Sequence, residues 1–124
     1  MIYLNKNQII KIQRQIIREF GGISGIRDES ILDSALANPL QTFAGQDLYY
    51  GISEKIVRLG YSIIKNHPFL DGNKRTGLHS MLILFHLNGF NIKISHEKLT
   101  SIIMKVADGS FSFQDFLYQF KKFL

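Results

Sequence analysis

Residues 67 to 76, His67-Pro68-Phe69-Leu70-Asp71-Gly72-Asn73-Lys74-Arg75-Thr76, bring an imidazole, a carboxylate, a glycine turn and two cations into one short stretch. Gly72 and Asn73 tolerate positive backbone dihedrals, so successive amides there can turn into one concavity. A helix starting at Asn73 adds its positive N-terminal end, and together these features make an anion site. Lys74 and Arg75 fall on that helix's first turn, where their charges oppose the helix dipole. A bound phosphate removes the conflict. Asp71, at the lip of the concavity, is a hard oxygen ligand suited to Mg²⁺ held against nucleotide phosphates. Asp is equally a good helix N-cap, and residue type alone leaves both roles open. His67 ends the preceding helix, where an imidazole can take a proton from an attacking hydroxyl or can simply favour a helix C-terminus. Phe69, flanked by these polar residues, is expected to pin the loop to the core.

The elements that must hold this stretch are legible from periodicity. Asn5 and Gln8 form a capping-box pattern ahead of Ile9, Ile12, Ile16, Ile17 and Phe20, which predicts a helix over about 6–20 ended by Gly21-Gly22. Asp28 caps a short helix carrying Ile31, Leu32, Ala35 and Leu36, which Pro39 ends at Asn38. Leu40 to Gly51 has no helical period and reads as a loop or hairpin turning near Ala44-Gly45-Gln46-Asp47. A helical period returns from Ser53 and is interrupted at Asn66-His67-Pro68. The next helix, about Asn73 to Leu87, has Leu78, Met81, Leu82, Leu84 and Phe85 around more than half its circumference and is expected to be central, with Asn88-Gly89 as its stop. Phe90 to Ile94 alternates as a strand does, and Ile2-Tyr3-Leu4 is the segment that would pair with it. Ser95 and Ser112 cap two further helices, the first ended by Gly109. The expected fold class is mainly α, a bundle of about six helices in a single domain over 1–124 with a short flap hairpin or loop.

The chain has 124 residues, 45% of them hydrophobic and 20% charged, which excludes disorder and collagen-like repeats. Zero cysteines exclude disulfides, thiolate zinc sites and a cysteine nucleophile. The uncharged run Thr76 to Leu87 is too short to span a bilayer, so no membrane role is expected. The opening M-I-Y-L-N-K lacks a basic segment followed by an apolar one, and a cytoplasmic setting is the expectation. Fifteen Lys and Arg against ten Asp and Glu give a net charge of +5, which favours polyanionic partners. His79 and His86 share a face of one helix at a spacing unsuited to a metal pair and are expected to be partly buried, whereas His96 is expected to be solvated.

The stretch H-P-F-L-D-G-N-K-R resembles the Fic/Doc signature H-x-F-x-D/E-G-N-G/K-R without gaps. G-G-I-S-G-I-R-D near the start, P-L-Q-T-F-A-G-Q-D-L-Y, and N-G-F after the central helix are similar to the short Doc branch, so the resemblance extends over nearly the whole chain. It implies a mainly helical fold in which His67 is the general base for a target hydroxyl and Asp71 the Mg²⁺ ligand. Gly72, Asn73, Lys74 and Arg75 would hold the phosphates of ATP, Phe69 would be an anchor, and Thr42 to Tyr50 would be a flap that captures an extended target segment.

Two positions separate the branches. AMP-transferring members typically have glycine where this chain has Lys74, and a second arginine where it has Leu78. The resemblance therefore implies a Doc-type toxin that moves the γ-phosphoryl group of ATP, with Mg²⁺, onto a Ser or Thr of a translation factor, elongation factor Tu. AMP transfer is the alternative within enzymes, and a basic module binding nucleic acid is the alternative outside them, although no recognition helix with Arg, Asn and Gln on one exposed face appears. The inhibitory pattern S/T-x-x-x-E-G/N of many Fic proteins is absent, because Gln15, Gly25, Tyr50 and Lys93 stand four residues before the glutamates. A separate antitoxin protein is therefore the expected restraint.

Overall fold

A computed structural model describes residues 1–124. The chain runs α1 (Lys6–Phe20), α2 (Glu29–Ala37), a 3₁₀ turn (Asn38–Leu40), β1 (Thr42–Phe43), β2 (Gln46–Asp47), α3 (Ile52–Asn66), α4 (Asn73–Leu87), α5 (His96–Ala107) and α6 (Phe113–Lys121). The fold is mainly helical, as expected. Asn5 and Gln8 close the capping box of α1, and Ser112 and Asp115 close one on α6. Asp28 caps α2, and the Ser30 hydroxyl and Ile31 N–H that it accepts hold its carboxyl below the usual carboxylate range. Lys6, paired with Glu29 at 2.6 Å and Asp33 at 2.9 Å, ties the start of α1 to α2, and those bonds raise its pKa.

The central pair is α3 and α4, and glycine sets their separation. A Cβ on Gly60 would lie 2.0 Å from Met81 Sδ, and one on Gly77 would lie 2.8 Å from Ile64 Cγ1 and 3.1 Å from the Gly60 carbonyl. Small residues therefore choose the buried face of α4, and Thr76, Gly77 and Ser80 point inward beside Met81, Leu84 and Phe85. This corrects two expectations. Leu78 and Leu82 are only half-buried, and His79 and His86 are exposed because the close crossing turns the opposite side of the helix outward. The core beneath includes Phe85, stacked on Phe120 at 5.9 Å, with Phe116 edge-on to Phe120 at 5.3 Å. All six helices contribute to this one cluster, together with Leu4 and Phe69.

The proposed strand at Phe90–Ile94 does not form, and neither it nor Ile2–Leu4 is extended into a ladder. A side chain replaces the ladder. Asn88 accepts from the Ile2 N–H and donates to the Ile2 carbonyl, both at 2.8 Å, so one amide satisfies the backbone that a paired strand would have satisfied. The hairpin does form, with Thr42 opposite Asp47 and Phe43 opposite Gln46. Its two turn residues, Ala44 (φ 54°) and Gly45 (φ 79°), both have the positive φ that the twist of a two-residue hairpin requires. All of Leu40 to Leu48 is exposed. Its downstream end is anchored by side chains: Lys55 Nζ donates to the Tyr49 carbonyl and pairs with Asp47 at 3.1 Å, and Tyr49 packs edge-on against Phe113 at 5.5 Å.

An alanine in place of glycine within a helix ordinarily adds about 0.5–1 kcal/mol of stability. Gly77→Ala is expected to do the opposite and remove about 1–3 kcal/mol, the scale of overpacking in a filled core. Urea unfolding midpoints check this, and a gain in stability would mean that α3 and α4 have room to separate.

Candidate functional site

The six residues between α3 and α4 form a loop whose backbone is held from several sides. The Asn73 side chain, 7% exposed, accepts from the Phe69 N–H at 2.9 Å and donates to the Phe69 carbonyl at 3.0 Å. The first residue of α4 thus folds back over the loop that precedes it. Phe69, 1% exposed, drops into the core and fixes the loop from below. From outside, the segment 21–28 clips on: Leu70 N–H donates to the Gly25 carbonyl at 3.0 Å, and the N–H groups of Arg27 and Asp28 donate to the Pro68 carbonyl at 2.7 and 3.1 Å.

At the two ends of this loop the backbone turns left-handed. His67 is the C-cap of α3, with φ 53° and ψ 62°, and Gly72 is the N-cap of α4, with φ 72° and ψ 21°. A Cβ at Gly72 would also press on Ile17 Cδ1 at 3.3 Å and Ile16 Cγ2 at 3.4 Å, so glycine meets a steric and a conformational demand together. No side chain caps α4 and no acidic residue occupies its first turn. The first amides of a 15-residue helix therefore open toward solvent without a capping oxygen from the chain.

These pieces surround one cavity of ≈ 380 Å³, lined by His67, Leu70, Asp71, Gly72, Asn73, Lys74, Arg75 and Ala107. Every site residue expected from the sequence lines it. Ala107 is the exception that the motif did not supply, and it brings the C-terminal end of α5 to the wall. His67, Lys74 and Arg75 are exposed, whereas Asp71 and Gly72 are half-buried. Asn73 offers the cavity only its backbone, since its side chain is occupied with Phe69.

Asp71 is not a helix cap, because Gly72 holds that position. Its Oδ2 instead accepts from the Ile23 N–H at 2.6 Å, which fastens the 21–25 loop and leaves Oδ1 for another partner. No group of three or more His, Asp or Glu side chains converges anywhere to hold a metal. A dedicated metal cage is thus not built, but one carboxylate beside a helix N-terminus fits Mg²⁺, which keeps waters and binds through one or two carboxylates plus phosphate oxygens. Arg75 lies with its guanidinium 4.0 Å from the centre of the Phe20 ring, which keeps the long side chain at the rim of the cavity.

Three residues that position the site escaped the reading of the sequence. Gln13, 1% exposed on α1, donates to the Asp71 carbonyl at 3.1 Å and the Ile23 carbonyl at 3.3 Å, and accepts from the Gly25 N–H at 3.4 Å. Its signal was a polar residue on the face shared by Ile9 and Ile16. Arg27 reaches the end of α3, and Phe20 the guanidinium of Arg75; neither stands out from composition or spacing.

A family model described as the Fic/DOC family matches residues 3–85. That match ends in the last turns of α4 and leaves α5 and α6 outside it. The protein named Toxin Doc from Mycolicibacterium smegmatis (strain ATCC 700084 / mc(2)155) is 38% identical over 73 residues, which are 59% of this chain and 56% of that protein. The similarity thus spans little more than half the length of that relative.

Asn73→Ala leaves a buried N–H and a buried carbonyl of Phe69 without partners and is expected to cost about 1–3 kcal/mol. Thermal unfolding measures this. An unchanged midpoint would show that water satisfies both groups and that the amide is not what closes the loop.

Proposed function

This chain belongs to the Fic/DOC family, and we propose that it moves the γ-phosphoryl group of ATP onto a Ser or Thr hydroxyl of a protein, with residues 1–124 acting as one functional domain. The observation that carries this reading is the uncapped N-terminus of α4, opening between His67 and Asp71 with Lys74 and Arg75 on its first turn. Such a site offers amides and cations to a polyphosphate and almost nothing to an uncharged ligand.

In this reading Gly72 provides the turn that lets phosphate oxygens approach the backbone, and the amides of Asn73, Lys74 and Arg75 receive them. The Lys74 ammonium and Arg75 guanidinium neutralise charge at the rim, where positioning and electrostatics carry most of a phosphoryl transfer. Asp71 would hold Mg²⁺ through its free oxygen, and the ion when bound would neutralise charge on the phosphates. His67 takes the proton from the attacking hydroxyl as that oxygen bonds to the γ-phosphorus and the bond from that phosphorus to the leaving ADP breaks. Lys74 in place of glycine, and half-buried Leu78 in place of a second arginine, favour the γ-phosphoryl group over AMP.

The exposed hairpin suits capture of an extended target segment, since the two strands pair only with each other and each leaves one edge open. Phe43, 74% exposed, and Tyr50, 71% exposed, supply apolar contact beside those edges. Elongation factor Tu is the target proposed, which makes the protein a translation-blocking toxin. A separate antitoxin is the proposed restraint. Lys11, Arg14, Gln15 and Arg18 line a cleft of ≈ 330 Å³ on α1, and that surface favours an acidic partner segment.

Incubation with elongation factor Tu and ATP labelled separately on the α- and γ-phosphates tests the reaction. Transfer of γ label alone is expected, and α label on the target would replace the proposal with AMP transfer. His67→Ala is expected to slow transfer by ~10² to 10⁴ while the fold and Mg·ATP binding persist. Full turnover in the folded variant would remove His67 from the reaction. Asp71→Asn keeps an oxygen for the Ile23 N–H and loses only the charge, so it separates the loop tether from the metal role. Weaker Mg·ATP binding by calorimetry is expected, and unchanged binding would leave Asp71 as a tether alone.

A further inference from the structure

His67 occupies a conformation that its residue type does not favour. A left-handed backbone crowds the Cβ of a non-glycine residue against the following carbonyl oxygen, and the proline at position 68 narrows the choice further. Something outside the loop must hold it. Arg27, on the segment joining α1 to α2, donates from Nε to the His67 carbonyl at 2.6 Å and from Nη2 to the Asn66 carbonyl at 2.8 Å. The Asn66 carbonyl belongs to the peptide plane before His67, and the His67 carbonyl to the plane after it. Holding both planes fixes φ and ψ of the residue between them, and therefore the direction in which its Cα–Cβ bond projects.

The guanidinium suits this task, because its planar fork presents two donors at a set spacing. Its donors are not drawn elsewhere by a carboxylate, since the ion pairs of the molecule engage only Lys6, Lys55 and Lys121. Its own backbone is clamped to the same loop through the bond to the Pro68 carbonyl at 2.7 Å. The positive charge also sits at the negative end of α3, where the last carbonyls lack helical partners.

We infer that Arg27 is the positioning residue for His67: by bridging the Asn66 and His67 carbonyls it aims the imidazole at the cavity. It touches no reacting atom, and the inference rests on the reading of His67 as the base. A misaimed base slows the chemical step without weakening the hold on nucleotide, and a misplacement on the order of 1 Å costs up to about 10²-fold.

The test uses the full chain with Arg27→Ala and Arg27→Lys, compared with the parent and with His67→Ala. Turnover at saturating ATP and target, Mg·ATP affinity by calorimetry, and the backbone coupling constant and Cα shift of His67 by NMR, which report the sign of φ, are measured on each folded protein. Arg27→Ala is expected to lower turnover about 10- to 100-fold, with nucleotide affinity within about twofold of the parent and with the positive-φ signature of His67 lost. Arg27→Lys, which can reach one carbonyl but cannot fork across two, is expected to recover part of the turnover, and it serves alone if the alanine variant does not fold. Parental turnover in Arg27→Ala beside an inactive His67→Ala would overturn the positioning role while leaving the base in place. A parallel fall in turnover and nucleotide affinity would overturn it too, by showing general loosening of the loop. Transfer that survives in His67→Ala would overturn the base reading and the inference together, and the NMR signature tells that failure from the others because it does not depend on activity.

Discussion

The close crossing of α3 and α4 at Gly60 and Gly77 is the constraint on which the remaining geometry depends. Only six residues join these helices, and their ends must lie near each other for so short a loop to carry both a left-handed histidine and a left-handed glycine. Were the helices held apart by side chains of ordinary size, the loop would stretch and the concavity at the start of α4 would flatten. Packing deep in the protein thus sets the curvature of backbone at its surface.

Two buried amides and an exposed guanidinium convert that packing into a fixed loop. Asn73 grips Phe69 from within, Gln13 reaches across from α1 to Asp71, and Arg27 closes the outer side at Asn66 and His67. All three meet backbone rather than other side chains, so each one constrains the path of the chain instead of a rotamer. Loop polar groups that would otherwise require water are satisfied by protein, which suits a segment that must keep its shape when a ligand displaces solvent. The residues facing the cavity stay free for a ligand because the supporting bonds are made by others.

Helix positions were readable in the sequence because their signals are local: Asn5 with Gln8, Asp28, Ser95 and Ser112 each stand at an observed cap. The cavity lining was equally legible, since seven of its eight residues come from one short stretch and only Ala107 lies outside it. What escaped involves partners far apart in the chain. The buried face of α4 is chosen by Gly60 on another helix, which hydrophobic spacing within α4 cannot reveal. The expected pairing of Ile2–Leu4 with Phe90–Ile94 failed for a related reason, because Asn88 satisfies Ile2 with a side chain and alternation says nothing of that alternative. Gln13 and Arg27 act on backbone 58 and 40 residues away, and a polar residue aimed at a distant carbonyl carries no local pattern.

The exposed hairpin has a consequence for the integrity of the chain itself. Its turn at Ala44-Gly45 projects beyond the packed helices, in the kind of surface tip where proteases cut most readily. A single cut there would divide the protein between α2 and α3, yet each piece would keep its share of the core: Ile9, Ile16, Leu32 and Ala35 in the first, and the Phe85, Phe116 and Phe120 cluster in the second. Gln13 and Arg27 would stay with the first piece, and Asp71 and His67 with the second, so the bonds from these two side chains to the cavity loop would run between two chains. The hairpin is thus the natural seam of the molecule, and the loop that lines the cavity is held in shape from across that seam.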